Sequence, residues 1–164
     1  MSAVPESAGA PSTGIAAEYL MTLHAPIAGA PQQIDETLTI FHSDRGWVVG
    51  PRIKGRILSP TGDWLQALPG GSLKVDARMT IATEEGALIH AAYGGVIRIA
   101  AADFARMAGG ETLRAAEMYF ITAPTFRTAH PAYAWLNHIQ AVGKATALRG
   151  GAQGYVQYDL FAVG

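Results

Sequence analysis

Hydrophobic and polar residues alternate along much of this chain, in short runs separated by turn-forming residues. The clearest run is Ser72–Thr83, in which every second residue from Leu73 to Ile81 is apolar and the residues between are mostly charged or polar. Such alternation predicts a β-strand with one apolar and one polar face. Comparable runs predict strands at Glu18–Leu23, Glu36–Phe41, Gly46–Ser59, Asp63–Leu65, Ala87–Ile99, Glu117–Thr122, Thr125–Thr128, Asn137–Leu148 and Gly154–Val163.

Glycine and proline divide these runs, and they also mark two short helical segments. The chain contains 19 Gly and 9 Pro, many of them in turn signals such as Glu84-Glu85-Gly86. A helix is predicted at Ala100–Ala108, where an alanine-rich window precedes a Gly pair, with an extension through Leu113 as an alternative. A short helical turn is predicted at Pro131–Leu136, because Pro suits the first helical position.

Consecutive strands joined by tight turns predict an all-β fold with an antiparallel meander. About eight or more such strands protect their edges best by closing into a barrel, whose interior is wide enough for side chains or one small ligand. No internal repeat or linker is visible, so residues 15–164 are predicted to form a single β-barrel domain. Residues 1–14 are rich in Ser, Ala, Pro and Gly and are predicted to form a flexible tail.

Composition narrows the class of protein further. The 164 residues include no Cys, which excludes disulfides and a Cys nucleophile and permits a reducing compartment, with the cytoplasm as the expected location. Twelve Lys and Arg against thirteen Asp and Glu give a net charge of -1, without a basic stripe, so no nucleic-acid partner is expected. No window approaches a membrane span, and a soluble protein without a membrane partner is expected.

Charged residues on two predicted strands are the first candidates for chemistry. Asp76 and Arg78 share the polar face of Ser72–Thr83, and Arg52 shares a face with Lys54 and Arg56. One interpretation is that both faces meet solvent, where the charges contribute little. In the other, Arg52 meets Asp76 and Arg78 in the lumen, and the cluster holds an anionic or enolisable ligand.

Known cofactor and metal motifs are not found in the sequence. The five His residues lack metal-ligand spacing, and neither a dinucleotide fingerprint, a Walker loop nor a nucleophile elbow is present, so no metal and no cofactor are expected. His90 and Tyr93 lie on a predicted core strand. The remaining side chains suit acid-base chemistry. An aromatic-rich run from Glu117 to Gly143 indicates the wall of a pocket.

A set of ordered motifs resembles the DUF3237 family, also called UPF0311, from about Glu18 to Val163. These motifs are Gly50-Pro51-Arg52-Ile53-x-Gly55, Asp63-Trp64, Asp76-Ala77-Arg78, Glu85-Gly86-Ala87-Leu88-Ile89, Tyr119-Phe120-x-Thr122 with Phe126-x-Thr128, and Tyr133-x-Trp135-Leu136-Asn137 with Val142-Gly143. The resemblance implies a closed antiparallel barrel related to calycin-like and allene-oxide-cyclase-like barrels, and it implies no settled activity.

The resemblance also implies a set of site residues. Arg52, Asp76 and Arg78 are the expected catalytic residues, and the expected substrate-binding residues are Trp64, Tyr119, Ile121, Arg127, Tyr133, Trp135 and Asn137. His90 and Tyr93 are added to the expected binding residues from the predicted strand Ala87–Ile99, and not from the resemblance. Asp63 matches a family position too, where a structural role as a backbone cap is an alternative. Ile121 and Arg127 depart from the family pattern, in which an Arg and an acid are usual, and so they are expected to affect ligand choice.

Three functions are compatible with this sequence. The first is a cofactor-independent lyase, isomerase or cyclase that acts by acid-base chemistry on a small aromatic or carbonyl-bearing metabolite in the lumen, with Asp76 as the acid or base. The second is a non-catalytic carrier or sensor of a small apolar ligand, and the third is a scaffold with a packed lumen. Apolar outer faces are also compatible with a homo-oligomer.

Overall fold

The computed structural model describes residues 13–164, and the tail predicted for residues 1–14 lies almost entirely outside them. The strands are β1 (Ala17–Pro26), β2 (Gln32–Gln33), β3 (Leu38–His42), β4 (Trp47–Gly50), β5 (Ile53–Ala67), β6 (Ser72–Thr83), β7 (Leu88–Ile99), β8 (Thr112–Arg114), β9 (Met118–Thr122), β10 (Thr125–Arg127), β11 (Gln140–Arg149) and β12 (Tyr155–Val163). The helix α1 spans Ala101–Ala108, and short 3-10 helices span Ala115–Glu117 and Pro131–His138.

Eight of these strands close into a barrel, in the order β1-β4-β5-β6-β7-β9-β11-β12 and back to β1. All of these pairings are antiparallel. The other strands extend the wall, because β3 pairs with the second half of β5, β10 with β7, β8 with β11, and β2 with β3. The predicted closed antiparallel barrel with one short helix is therefore confirmed.

The core lies inside the barrel. It is built from the apolar residues that occupy alternate positions along the strands. On β6, Val75, Ala77, Met79 and Ile81 are buried, whereas the residues between them are exposed or half-buried. Tyr133 and Leu136, from the second 3-10 helix, are also buried in this core and cover one end of the barrel. No helix within residues 13–164 is long and apolar enough to cross a membrane.

Three predicted boundaries were wrong. The run Gly46–Ser59 is not one strand, because the chain turns at Pro51–Arg52, where Pro provides no ladder hydrogen bond, and so β4 and β5 are separate. The helix α1 does not extend through Leu113, which lies in β8. Residues 137–138 belong to the 3-10 helix, and β11 begins at Gln140.

A bulge in β5 explains why Asp63–Leu65 continues that strand. Leu58 lies opposite Thr80 and Gly62 lies opposite Arg78, so β5 contains two extra residues between these pairs. Thr61 holds the bulge in place, since its hydroxyl donates to the Leu58 carbonyl at 2.7 Å and accepts the Thr80 N–H at 3.3 Å. Because two residues are added, the alternation is unchanged, and odd-numbered residues of β5 point into the barrel both before and after the bulge.

Candidate functional site

The strand register places one carboxyl group, that of Asp63, on the inner face of the barrel. Asp63 lies opposite Ala77 on β6, and Ala77 lies opposite Tyr93 on β7. Because directly opposed residues share a face and Ala77 is buried, all three side chains point inward. Only the methyl group of Ala77 separates the strand positions of Asp63 and Tyr93.

The surroundings of Asp63 favour its protonated form. Burial raises the pKa of its carboxyl from 3.8 to about 6, and the nearby Asp76 charge adds to this rise. The backbone N–H of Asp76 donates to Asp63 Oδ1 at 3.0 Å, which partly opposes the rise because it stabilises the charged carboxylate. Asp63 therefore takes up and releases a proton close to neutral pH.

Two tyrosines complete this inner group. The rings of Tyr93 and Tyr158 meet edge to face with centroids 6.1 Å apart, and Phe120 packs against Tyr158 at 5.2 Å. Burial raises the pKa of both phenols, and the Asp63 charge raises them further. Both hydroxyl groups therefore stay protonated at neutral pH and remain hydrogen-bond donors.

Small residues are the strand neighbours of this group. Ala77 lies between Asp63 and Tyr93, and Ala145 lies opposite Tyr158 on β11. Asp63 and Tyr93 are only half-buried, although both point into the barrel. At this level the interior of the barrel thus contains one acid and two phenols, of which Asp63 and Tyr93 keep some accessible surface and Tyr158 is buried.

Asp76, Arg78 and Trp64 do not face the lumen, since they lie on the outer surface of the barrel. The side chains of Asp76 and Arg78 are 58% and 55% exposed, and Arg78 Nη1 lies 3.1 Å from Asp76 Oδ1. The solvent-facing alternative is therefore the one observed. The three residues nevertheless line one groove of about 570 Å³, together with Gln66, Lys74 and Gly94.

Arg52 is not part of this group, which corrects the hypothesis of an Arg52-Asp76-Arg78 cluster. It lies in the turn between β4 and β5, at the far end of β5 from Asp63. Its guanidinium carbon lies 3.9 Å from the ring centroid of Trp135, so the two residues form a cation-π contact. Arg52 and Trp135 thus belong together, away from the inner acid.

Four further expected binding residues also lie outside the lumen. His90 and Arg127 are paired across β7 and β10, and both line a second outer groove of about 600 Å³. Tyr119 and Ile121 are on the outer face of β9, where they alternate with the buried residues Phe120 and Thr122. The two departures from the family pattern, Ile121 and Arg127, therefore change the outer surface.

Tyr133 and Asn137 hold the 3-10 helix against the barrel. The Tyr133 hydroxyl donates to Glu85 Oε2, and this bond is the largest cause of the lowered pKa of Glu85. Asn137 accepts the Thr128 N–H at 2.8 Å and donates to the Thr128 carbonyl at 2.9 Å. All of these hydrogen bonds join groups of the protein itself, so we assign both residues a structural role.

Among residues 13–164, no three acidic or His side chains are grouped so that they would hold a metal ion.

The family motifs included Asp63 with a backbone cap as the alternative, but sequence reasoning did not make it the acid of the site. It did not place Tyr158 in the site at all, although the alternation carries a signal for both. Asp63 has the parity of Ile53, Ile57 and Leu65 along β5, and the two-residue bulge preserves that parity. Tyr158 has the parity of Val156 and Leu160 on β12, and Leu160 is buried. Treating Asp63–Leu65 as a separate strand concealed the first of these signals.

Comparisons with known proteins agree with the fold and its family. A crystal structure of a conserved protein of unknown function from Rhodopseudomonas palustris has a TM-score of 0.83 and 25% identity, covering 93% of this chain and 99% of that one. A crystal structure of an enzyme from Penicillium herquei has a TM-score of 0.59 and 19% identity, covering 94% and 99%, and this likeness shows the fold alone.

The sequence comparisons identify the family. A UPF0311 protein of Rhodopseudomonas palustris is 32% identical over 101 residues, so the match spans 61% of this chain and 65% of that protein. The family model described as a protein of unknown function, DUF3237, matches residues 15–163. With a barrel of this form and a match over almost its whole length, the chain belongs to the DUF3237 family.

Proposed function

We propose that this protein is an acid-base enzyme, an isomerase, lyase or cyclase, that acts on a small aromatic or carbonyl-bearing molecule inside the barrel. The observation that carries the proposal is the Asp63 carboxyl, which lies in the barrel with a pKa of about 6 beside two protonated phenols. A general acid or base works best when its pKa is near the working pH. Asp63 replaces Asp76 as the proposed proton-transfer group.

The proposed reaction begins with a proton on a carbon next to a carbonyl group. The Asp63 carboxylate removes this proton, and the electron pair of the broken C–H bond moves to the carbonyl oxygen to give an enolate. A hydroxyl group of Tyr93 or Tyr158 donates a hydrogen bond to that oxygen and stabilises the developing charge. Protonated Asp63 then returns the proton to another carbon in an isomerisation, or to a departing group in an elimination.

The fold is compatible with such a role. The enzyme from Penicillium herquei provides a precedent for catalysis by a protein with this fold. The likeness is one of fold, so it says nothing about which reaction this chain catalyses. The apolar lining of the lumen suits an uncharged aromatic or carbonyl compound, and exclusion of water strengthens the hydrogen bonds to the enolate.

Hydrogen-deuterium exchange tests this proposal without knowledge of the natural substrate. A panel of aryl ketones with acidic C–H groups is incubated with the protein in D₂O, and loss of the α-proton signals is followed by NMR. The wild-type protein is expected to accelerate exchange of at least one ketone, and Asp63→Asn is expected to lower that rate by about 100-fold or more. Asp76→Asn is the comparison variant. Its carboxyl lies outside the lumen, so exchange should persist, with the midpoint of its pH profile at slightly lower pH because the Asp76 charge raises the pKa of Asp63.

The outcomes separate an enzyme from a carrier. The rate of the wild-type protein should rise with pH and level off above about pH 6, as the Asp63 carboxylate forms. Full activity in Asp63→Asn would show that another group transfers the proton. Shifts of the Tyr93 and Tyr158 resonances would show that a ketone binds in the lumen. If such ketones bind but their α-protons never exchange, the protein is a carrier.

A further inference from the structure

The outer groove beside Asp76 is open because one of its floor positions lacks a side chain. Gly94, on β7, lies opposite Asp76, and its φ angle is outside the left-handed region that favours glycine. A Cβ at this position would meet no heavy atom closer than the Val75 carbonyl oxygen at 3.6 Å, which is ordinary contact. Neither backbone conformation nor packing therefore requires glycine at position 94, and the space that it leaves belongs to the groove.

An aromatic surface lies across Asp76 from this space. Trp64 is 40% exposed on the outer face of β5, although burial of so large an apolar side chain is favourable. The Arg78 guanidinium carbon lies 5.8 Å from the Trp64 ring centroid, and the same guanidinium neutralises Asp76. The groove thus offers a ring for stacking and a carboxylate whose charge is already balanced.

An unpaired cation lies next to the aromatic ring. Lys74 lies opposite Gln66, and Gln66 follows Trp64 on the outer face of the strand. Within residues 13–164, no carboxylate lies within 4.0 Å of Lys74 Nζ. The ammonium of Lys74 and the amide of Gln66 are therefore both available as donors to an anion.

We propose that this groove is a second site, which binds a planar aromatic carboxylate. The ring of the ligand lies against Trp64 and over Gly94, and its carboxylate accepts hydrogen bonds from Lys74 and Gln66. Arg78 contributes indirectly, since it offsets the charge of Asp76 that would otherwise repel the anion. The volume of about 570 Å³ is in the range of small-molecule sites. This site is separate from the lumen and does not depend on the proposed reaction.

The test uses 2-naphthoate as the probe and its neutral amide, 2-naphthamide, as the uncharged control. Binding is measured by calorimetry and by the indole N–H resonance of Trp64, which is assigned with Trp64→Phe. The wild-type protein is expected to bind 2-naphthoate about tenfold or more tightly than 2-naphthamide, because only the first presents a full charge to Lys74.

The variants locate the site. Lys74→Gln is expected to weaken 2-naphthoate binding about tenfold, and Gly94→Val is expected to abolish it by filling the floor of the groove. Lys144→Gln, on the outer face of β11, is the matched control and should bind as the wild-type protein does. Val is a good strand residue, so Gly94→Val should fold, and circular dichroism confirms this.

Other results would overturn the proposal. If Lys144→Gln weakens binding as much as Lys74→Gln, the attraction comes from net charge and not from the groove. If Gly94→Val binds normally while Tyr158→Phe or Asp63→Asn does not, the probe occupies the lumen. Absence of any Trp64 shift at millimolar 2-naphthoate would also reject the site, without bearing on exchange of ketones at Asp63.

Discussion

The backbone N–H of Asp76 donates a 3.0 Å hydrogen bond to Asp63 Oδ1, and this bond connects the outer groove to the inner acid. Direct pairing between β5 and β6 is interrupted between Asp63–Ala77 and Gln66–Lys74, so the Asp63 carboxyl takes up an N–H that the neighbouring strand leaves free. The side chain is thereby fixed in orientation. Its pKa still rises to about 6, because desolvation outweighs the one hydrogen bond to the charged form.

The first prediction concerns stability and pH. Below about pH 4, Asp63 is protonated in both the folded and the unfolded chain. Between 3.8 and about 6 the folded chain keeps a proton that the unfolded chain loses, so this group makes the free energy of unfolding decrease as the pH rises. Each pKa unit corresponds to about 1.4 kcal/mol, so burial of the carboxylate costs up to about 3 kcal/mol above pH 6.

Asp63→Asn should remove this cost. The amide oxygen can still accept the Asp76 N–H, and the variant is expected to be about 1 to 3 kcal/mol more stable than the wild-type protein at pH 8 and close to it at pH 4. Urea unfolding at both pH values measures the difference, with Asp76→Asn as the control for an exposed carboxyl. Equal destabilisation by Asp63→Asn at both pH values would contradict the argument.

The second prediction separates the inner tyrosines from an outer one. Tyr158→Phe removes one hydroxyl with little change in volume, so the rate of ketone exchange should fall about 10- to 100-fold if that hydroxyl stabilises the enolate. Tyr119→Phe provides the control, because Tyr119 is 56% exposed on the outer face of β9. Comparable rate losses in the two variants would show that the effect is not located in the lumen.

Alternation was sufficient to predict most of the fold and part of the site. The predicted strand Ser72–Thr83 has the same bounds as β6, because it is long, regular and apolar on one face only. Alternation also separates polar residues that share the parity of buried apolar residues from those that do not, provided that the strand is recognised as continuous. Asp76 and Arg78 alternate with buried apolar residues and therefore point outward. By the same rule Asp63 points inward, and its partner Tyr158 is brought near only by closure of the barrel.

The remaining contacts were beyond reach of the sequence for a physical reason. The bulge before Asp63 depends on Thr61, whose hydroxyl donates to the Leu58 carbonyl within β5 and accepts the Thr80 N–H of β6. The packing of Trp135 on Arg52 joins segments more than 80 residues apart. Local propensity does not encode such pairings. They follow from the register of strands that are distant in sequence.

The third prediction treats Asn137 as a clasp between the 3-10 helix and the end of β10. Asn137→Ala removes both hydrogen bonds to the main chain of Thr128 and should lower the free energy of unfolding by about 1 to 2 kcal/mol. Asn137→Asp keeps the acceptor and loses the donor, so an intermediate loss is expected. His138→Ala is the neighbouring control. If urea unfolding gives Asn137→Ala the same free energy of unfolding as the wild-type protein, water replaces the two hydrogen bonds of Asn137 at no cost.

The last prediction assigns Arg52 a structural role in place of the catalytic one that its motif suggested. Its guanidinium stacks on Trp135 at the end of the barrel remote from Asp63, so Arg52→Ala should leave ketone exchange unchanged and cost about 0.5 to 1 kcal/mol of stability. A double-mutant cycle with Trp135→Leu isolates the contact, since Arg52→Ala should have almost no further effect once the ring is absent. If Arg52→Ala instead abolished exchange in a fully folded protein, the proposed proton transfer at Asp63 would need a second charged group, and the hypothesis of a catalytic arginine would be restored.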